Sequence, residues 1–180
     1  MQTWGRLCLT TALTGLAYIV AYLFNENLLP FTRFADGVNW IYLPSGLRLT
    51  LVLVFGMPAA LGIAWSSLLL ALWPHGWDNW PQALVTGLIS GGAPWIALLL
   101  CRRVLSVQAD LSGLRARTLL MMSFIFAITS AALHQAWYSW SDPSPGRAMQ
   151  FAVMALGDLV GTLLILYLGY WILKKTAPRL

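Results

Sequence analysis

Arg48 and Asp158 are the residues most able to do chemistry in this chain. Arg48 lies in Tyr42-Leu43-Pro44-Ser45-Gly46-Leu47-Arg48-Leu49, and Asp158 lies in Leu156-Gly157-Asp158-Leu159-Val160-Gly161. No other charged residue sits inside a long apolar stretch. A charge placed in hydrocarbon costs about 2.5–3.5 kcal/mol on insertion scales and survives when it is paired or hydrated. Two such charges of opposite sign predict a buried guanidinium–carboxylate pair, bidentate in its natural geometry, that draws two distant segments together. Such a pair can act as a fastener between helices. It can also border a polar cavity for an anionic or zwitterionic ligand.

The residues around Arg48 sharpen the second reading. Pro44-Ser45-Gly46 has the composition of a helix start, with Ser45 as the expected N-cap. A helix that begins inside a membrane turns its free N–H groups toward whatever fills the space before it, and such broken helices mark binding sites in transporters. His134, with Gln135, and His75, in Pro74-His75-Gly76-Trp77-Asp78, are too far apart in sequence to form a metal motif. They are expected to hydrogen-bond to loops, with pH sensing as the alternative. Trp65 and Trp95 lie deeper in their apolar runs than the other tryptophans and are pocket candidates, although single tryptophans more often pack against core or lipid. Cys8 and Cys101 have neither metal nor redox spacing and read as free thiols. No nucleophile motif, metal-ligand set or phosphate loop is present, so neither catalysis nor a cofactor is expected.

The elements that must carry these residues follow from composition. Of 180 residues, 59% are hydrophobic and 9% charged. A soluble domain carries about 25% charged residues. The chain is therefore expected to be a single all-α integral membrane domain. Its net charge of +5 is accounted for by basic residues flanking apolar segments, so nucleic acid is not an expected partner. Residues 7–24 form a first apolar run, too long for a signal-peptide core and followed by no small-x-small cleavage site, so it reads as a retained helix. Residues 40–73 are too many for one span, and Phe55-Gly56-Met57-Pro58 divides them. The second helix, residues 45–56, is then only about 16 Å long. It is short and broken, and residues 34–44 must enter the membrane as irregular backbone held by protein or water. Further helices are expected at 58–73, 81–100, 118–137 and 148–173, with a kink near Pro94. The expected fold is a polytopic bundle of about six transmembrane helices.

Orientation follows from Lys and Arg. Arg6, the four arginines of residues 102–117, and Lys174, Lys175 and Arg179 fall on one side when the helix number is even. Positive residues mark the cytoplasm, which puts both termini there in a bacterial inner membrane. The other face carries Glu26, Arg33, Asp36, His75, Asp78, Asp142 and Arg147. It also carries Trp40, Tyr42, Trp73, Trp77, Trp80, Trp137, Tyr138 and Trp140, which read as an interfacial aromatic belt, with some of them roofing a ligand pocket as the alternative. Small residues repeat at four-residue spacing in Ala60/Ala64, Gly62/Ser66, Gly87/Gly91 and Gly157/Gly161. This predicts close helix packing within the chain. The last pair can serve as a dimer seam instead, but a charge inside the motif favours an interior face.

Two segments resemble the signature of the first type of bacterial membrane-associated sensor domain. The first is Leu43-Pro44-Ser45-Gly46-Leu47-Arg48-Leu49-Thr50-Leu51, followed by Phe55-Gly56 and Ala60-Leu61-Gly62. The second is Leu156-Gly157-Asp158-Leu159-Val160-Gly161-Thr162-Leu163-Leu164. On this resemblance Pro44, Gly46, Arg48, Gly157 and Asp158 match the family pattern. It implies a sensor-like or ligand-binding membrane module. Family members usually precede a kinase or cyclase output module, so a chain lacking one is expected to act through a separate protein partner in the membrane. The chain is also similar in size and helix number to the substrate-capturing subunits of energy-coupling-factor transporters. In that reading the Ala60/Ala64 face docks the partner. A third reading is an assembly subunit of a larger membrane complex, with no small ligand.

Overall fold

A computed structural model describes residues 2–108, 114–141 and 147–176. Asp142 and Arg179, and the side chains of His75 and Trp77, lie outside the described set. The described residues are almost wholly helical: α1 (Gln2–Leu28), α2 (Leu43–Phe55), α3 (Met57–His75), α4 (Trp80–Val104), α5 (Ala116–Ser141) and α6 (Arg147–Thr176). Four of the six, α1, α4, α5 and α6, are long and apolar enough to cross a membrane. The apolar parts of α2 and α3 are shorter.

Local sequence explains the boundaries. Proline stands in the first turn of α2, α3 and α4, where its missing N–H is no loss and its fixed φ suits the helix. Gly56 (φ 65°) ends α2 and Gly76 (φ 67°) ends α3. Each adopts a left-handed backbone that side chains resist, and each returns its N–H to the helix it closes. Pro94 lies within a helix that is continuous on either side of it. Hydroxyls on the helices are satisfied locally: Thr14, Thr50, Ser66, Ser123 and Thr162 each donate to the carbonyl four residues earlier.

The surface departs from the soluble-protein pattern more than the core does. Arg48, Asp158, His134, Gln135, Ser130 and Thr162 are buried, while Leu16, Val20, Leu61, Leu88, Phe124 and Leu168 are exposed. A surface of large apolar side chains around an apolar core that also shelters polar groups suits a hydrocarbon solvent, in which backbone groups must be satisfied within each helix.

The shortest helix is the central one. α2 packs against each of the other five, most extensively α6, while α1, α3, α4, α5 and α6 adjoin one another in sequence around it. At 13 residues it spans only about 20 Å. The space before it is filled by a 3₁₀ turn (Pro30–Thr32) and a small antiparallel hairpin, β1 (Arg33–Ala35) and β2 (Val38–Asn39). Gly37, at φ 70°, makes the hairpin turn. Val38 is fully buried with Ala131 of α5 and Val153 and Met154 of α6, so the hairpin is wedged into the bundle. The irregular segment expected before the second helix is therefore real, and it is more ordered than its sequence implied.

Candidate ligand cavity

Arg48 sits one turn into α2 and Asp158 near the middle of α6. Arg48 Nη2 lies 3.3 Å from Asp158 Oδ1 and 3.4 Å from Oδ2. Both residues are 1% exposed. The expected pair exists, but it is not the bidentate fork. One guanidinium nitrogen meets both carboxylate oxygens and also lies 3.3 Å from Ser130 Oγ on α5. Nε is buried with no protein partner. The rings decide this geometry: the guanidinium carbon stands 5.6 Å from the Tyr42 ring centre and 5.4 Å from that of Phe126. These aromatic faces hold the cation and leave one terminal nitrogen for the carboxylate.

The residues before Arg48 act differently from the expectation. α2 begins at Leu43, so Ser45 lies in its first turn and is not the N-cap; Tyr42 holds that place without a side-chain cap. The donors at the helix start are already used. Asn25 Oδ1, from α1, accepts the Leu43 N–H at 3.0 Å. Pro44 has no N–H, and Ser45 N donates to Tyr42 O. An anion therefore finds no free donor at these first positions. Ser45 Oγ instead lies within donating distance of both Tyr42 O and Asp158 O, at 2.7 and 2.8 Å. Gly46 lets α2 lie against Gly161 and Ile165 of α6, where a methyl group would clash. Pro44, Ser45 and Gly46 thus fasten α2 to α6.

Gly157 and Gly161 serve the same junction. A methyl on Gly157 would overlap Asn39 O, and one on Gly161 would overlap Tyr42 O. Tyr42 N donates to Gly157 O at 3.2 Å. The pair receives the chain leading into α2, so this face is interior and not a dimer seam. The other small-residue pairs pack helix on helix. Gly62 meets Thr11, Thr14 and Gly15 of α1, while Gly87 and Gly91 meet Ala60, Ala64 and Leu68 of α3. The Ala60/Ala64 face is therefore covered by α4 and is not open to a partner.

Arg48 also lines a cavity of about 860 Å³ at the hairpin end of the bundle. Its deeper wall includes Tyr18, Tyr42, Ser67, Ser90, His134 and Tyr138. Its rim includes Glu26, Arg33, Asp36, Gln82 and Arg147. Tyr18 and Tyr42 hydroxyls are 3.1 Å apart, and Ser67 Oγ donates to Ser90 Oγ at 2.9 Å. His134 Nδ1 is 2.9 Å from Ser130 O. A carbonyl only accepts, so Nδ1 carries a proton and in the neutral ring Nε2 is left as an acceptor. At the rim Arg33 pairs with Glu26. That contact raises the already high Arg33 pKa further, so the guanidinium stays charged. Arg147 bonds Gln150 Oε1 and Tyr138 O.

Of the residues singled out from sequence, Arg48 and His134 line this cavity and Asp158 backs it through Arg48. Trp65 does not: it is 62% exposed and borders an apolar groove between α1 and α3. Trp95 is half-buried against the apolar core, near Gly56. Neither lines the polar cavity. Sequence reasoning missed Tyr18 and Tyr22, whose four-residue spacing on α1 was the available signal. Tyr42 and Tyr138, read from sequence as belt residues with a pocket roof as the alternative, line the cavity. Trp73, Trp80 and Trp140 are exposed, as a belt requires.

No protein-family model matches the chain, nor does any curated protein or solved structure.

Proposed function

We propose that the protein is a ligand-binding module of a bacterial inner membrane that works through a separate partner protein. In this reading six helices cross the bilayer, both termini are cytoplasmic, and the cavity opens to the outer side. The observation that carries it is the cavity itself: about 860 Å³ of polar and aromatic lining around a buried ion pair in an otherwise apolar protein. Intramembrane charges of this kind mark functional sites, and a cavity with convergent polar groups is where a ligand belongs. Arg48–Asp158 ties central α2 to α6, so a ligand touching Arg48 bears on the junction that organises the bundle. It biases that junction by its differential affinity for two arrangements of α2. The likeness of Pro44-Ser45-Gly46…Arg48 and Gly157-Asp158 to the sensor-domain pattern supports a signalling use.

A second reading is favoured by the hairpin that walls the cavity mouth: a transporter's substrate-capturing subunit, with the hairpin as its gate. Co-purification separates the two, since a kinase or cyclase partner indicates sensing and a transport ATPase indicates capture. Thr86 of α4 lines the cavity. Binding itself is tested by purifying the wild type and Thr86→Trp, which sets an indole ring in the ligand's space, in lipid nanodiscs and analysing bound small molecules by native mass spectrometry. Wild type should carry a small molecule at near-stoichiometric occupancy and the variant should not. Equal occupancy in both, or none in either, overturns the ligand reading.

A further inference from the structure

The charges around the cavity cancel. Arg33, Arg48 and Arg147 line it together with Glu26 and Asp36, and Asp158 neutralises Arg48 from behind. The deep wall therefore has no surplus charge to offset that of a ligand. An ion entering it would lose hydration without gaining a counterion, which costs several kcal/mol.

What the wall does offer is aromatic surface and hydrogen-bonding edges. Of the chain's six tyrosines, Tyr18, Tyr22, Tyr42 and Tyr138 line this one cavity. The other two, Tyr167 and Tyr170, are exposed on α6 at 68% and 61%. One hydroxyl proton of the Tyr18–Tyr42 pair remains after their mutual bond. His134 Nε2 remains as an acceptor. Together these suit a carbonyl and an N–H on the edge of a flat ring.

Resting on the reading of this cavity as a ligand site, we propose that it takes an uncharged, planar ring compound bearing an amide-like edge. The test uses three probes of one shape: benzamide (neutral), benzoate (anion) and benzamidine (cation), titrated against the protein in nanodiscs by saturation-transfer NMR at neutral pH. Benzamide should bind at least about tenfold more tightly than either ion. Tyr22→Ala should weaken benzamide by a similar factor, while Tyr167→Ala, on the exposed face of α6, leaves it unchanged. Tightest binding by benzoate or benzamidine, or equal binding by all three, overturns the ligand class while leaving the cavity a binding site. If no probe binds, the molecule that co-purifies with wild type but not with Thr86→Trp decides: a neutral ring compound upholds the class, and an ion or an acyclic solute overturns it. No probe and no co-purifying molecule together overturn both readings.

Discussion

With Arg48 and Asp158 each 1% exposed, removing either side chain leaves the other charge buried without a counterion. Arg48→Ala or Asp158→Ala alone should lower stability by about 3–5 kcal/mol. Replacing both with apolar residues of similar size, Arg48→Met with Asp158→Leu, should recover most of that loss. Chemical unfolding in mild detergent reads all three, and single variants that unfold like wild type would show that the pair contributes nothing. This pairing was legible in the sequence because hydrocarbon tolerates a charge only when something neutralises it. The orientation of the guanidinium was not. It depends on Tyr42 and Phe126, which lie 6 and 78 positions away and carry no mark distinguishing them from other aromatics.

At the level of elements, the junction of the hairpin, α2 and α6 is set by glycine. Gly157→Ala and Gly161→Ala force a methyl into Asn39 O and Tyr42 O. Each should destabilise by about 1–3 kcal/mol, as overpacking does. Gly92 and Gly169 have open space at the same position, so alanine there should be neutral or should stabilise by up to about 1 kcal/mol. Thermal unfolding of the four variants side by side is the check, and equal effects would remove the role assigned to the junction. Asn25→Ala removes the side-chain acceptor of the Leu43 N–H at the start of α2. It should cost about 1 kcal/mol, read in the same assay. Breaks between elements were readable from Pro and Gly, since backbone chemistry is local. The hairpin was missed although Asp36-Gly37 is a recognised turn pair. Its strands, Arg33–Ala35 and Val38–Asn39, are too short for a period-2 pattern to register.

For the whole molecule, the proposed orientation is open to direct labelling. With Cys8 and Cys101 replaced by serine, Asp36→Cys should react with an impermeant maleimide applied to intact spheroplasts. Arg103→Cys should react only after permeabilisation. The reverse pattern would invert the topology and place the cavity mouth in the cytoplasm. The sign of the expected result comes from the arginines at one end of the bundle and the mixed charges at the other, since positive residues are retained on the cytoplasmic side.

Composition and the placement of breakers, matters of solvent and local backbone, were enough to determine an all-helical chain suited to lipid, the division between α2 and α3, and the need for Arg48 and Asp158 to meet. A 59% hydrophobic chain cannot hide its apolar surface from water at this size, and a lone charge cannot remain in oil. That α2 is the hub, that Ser45 and Gly46 fasten it to α6 instead of presenting donors to an anion, and that four tyrosines share one cavity were decided only in three dimensions. Each depends on which helices become neighbours. That choice comes from the summed packing of surfaces far apart in the chain, where Gly157 and Gly161 permit one close approach and Gly62, Gly87 and Gly91 permit others.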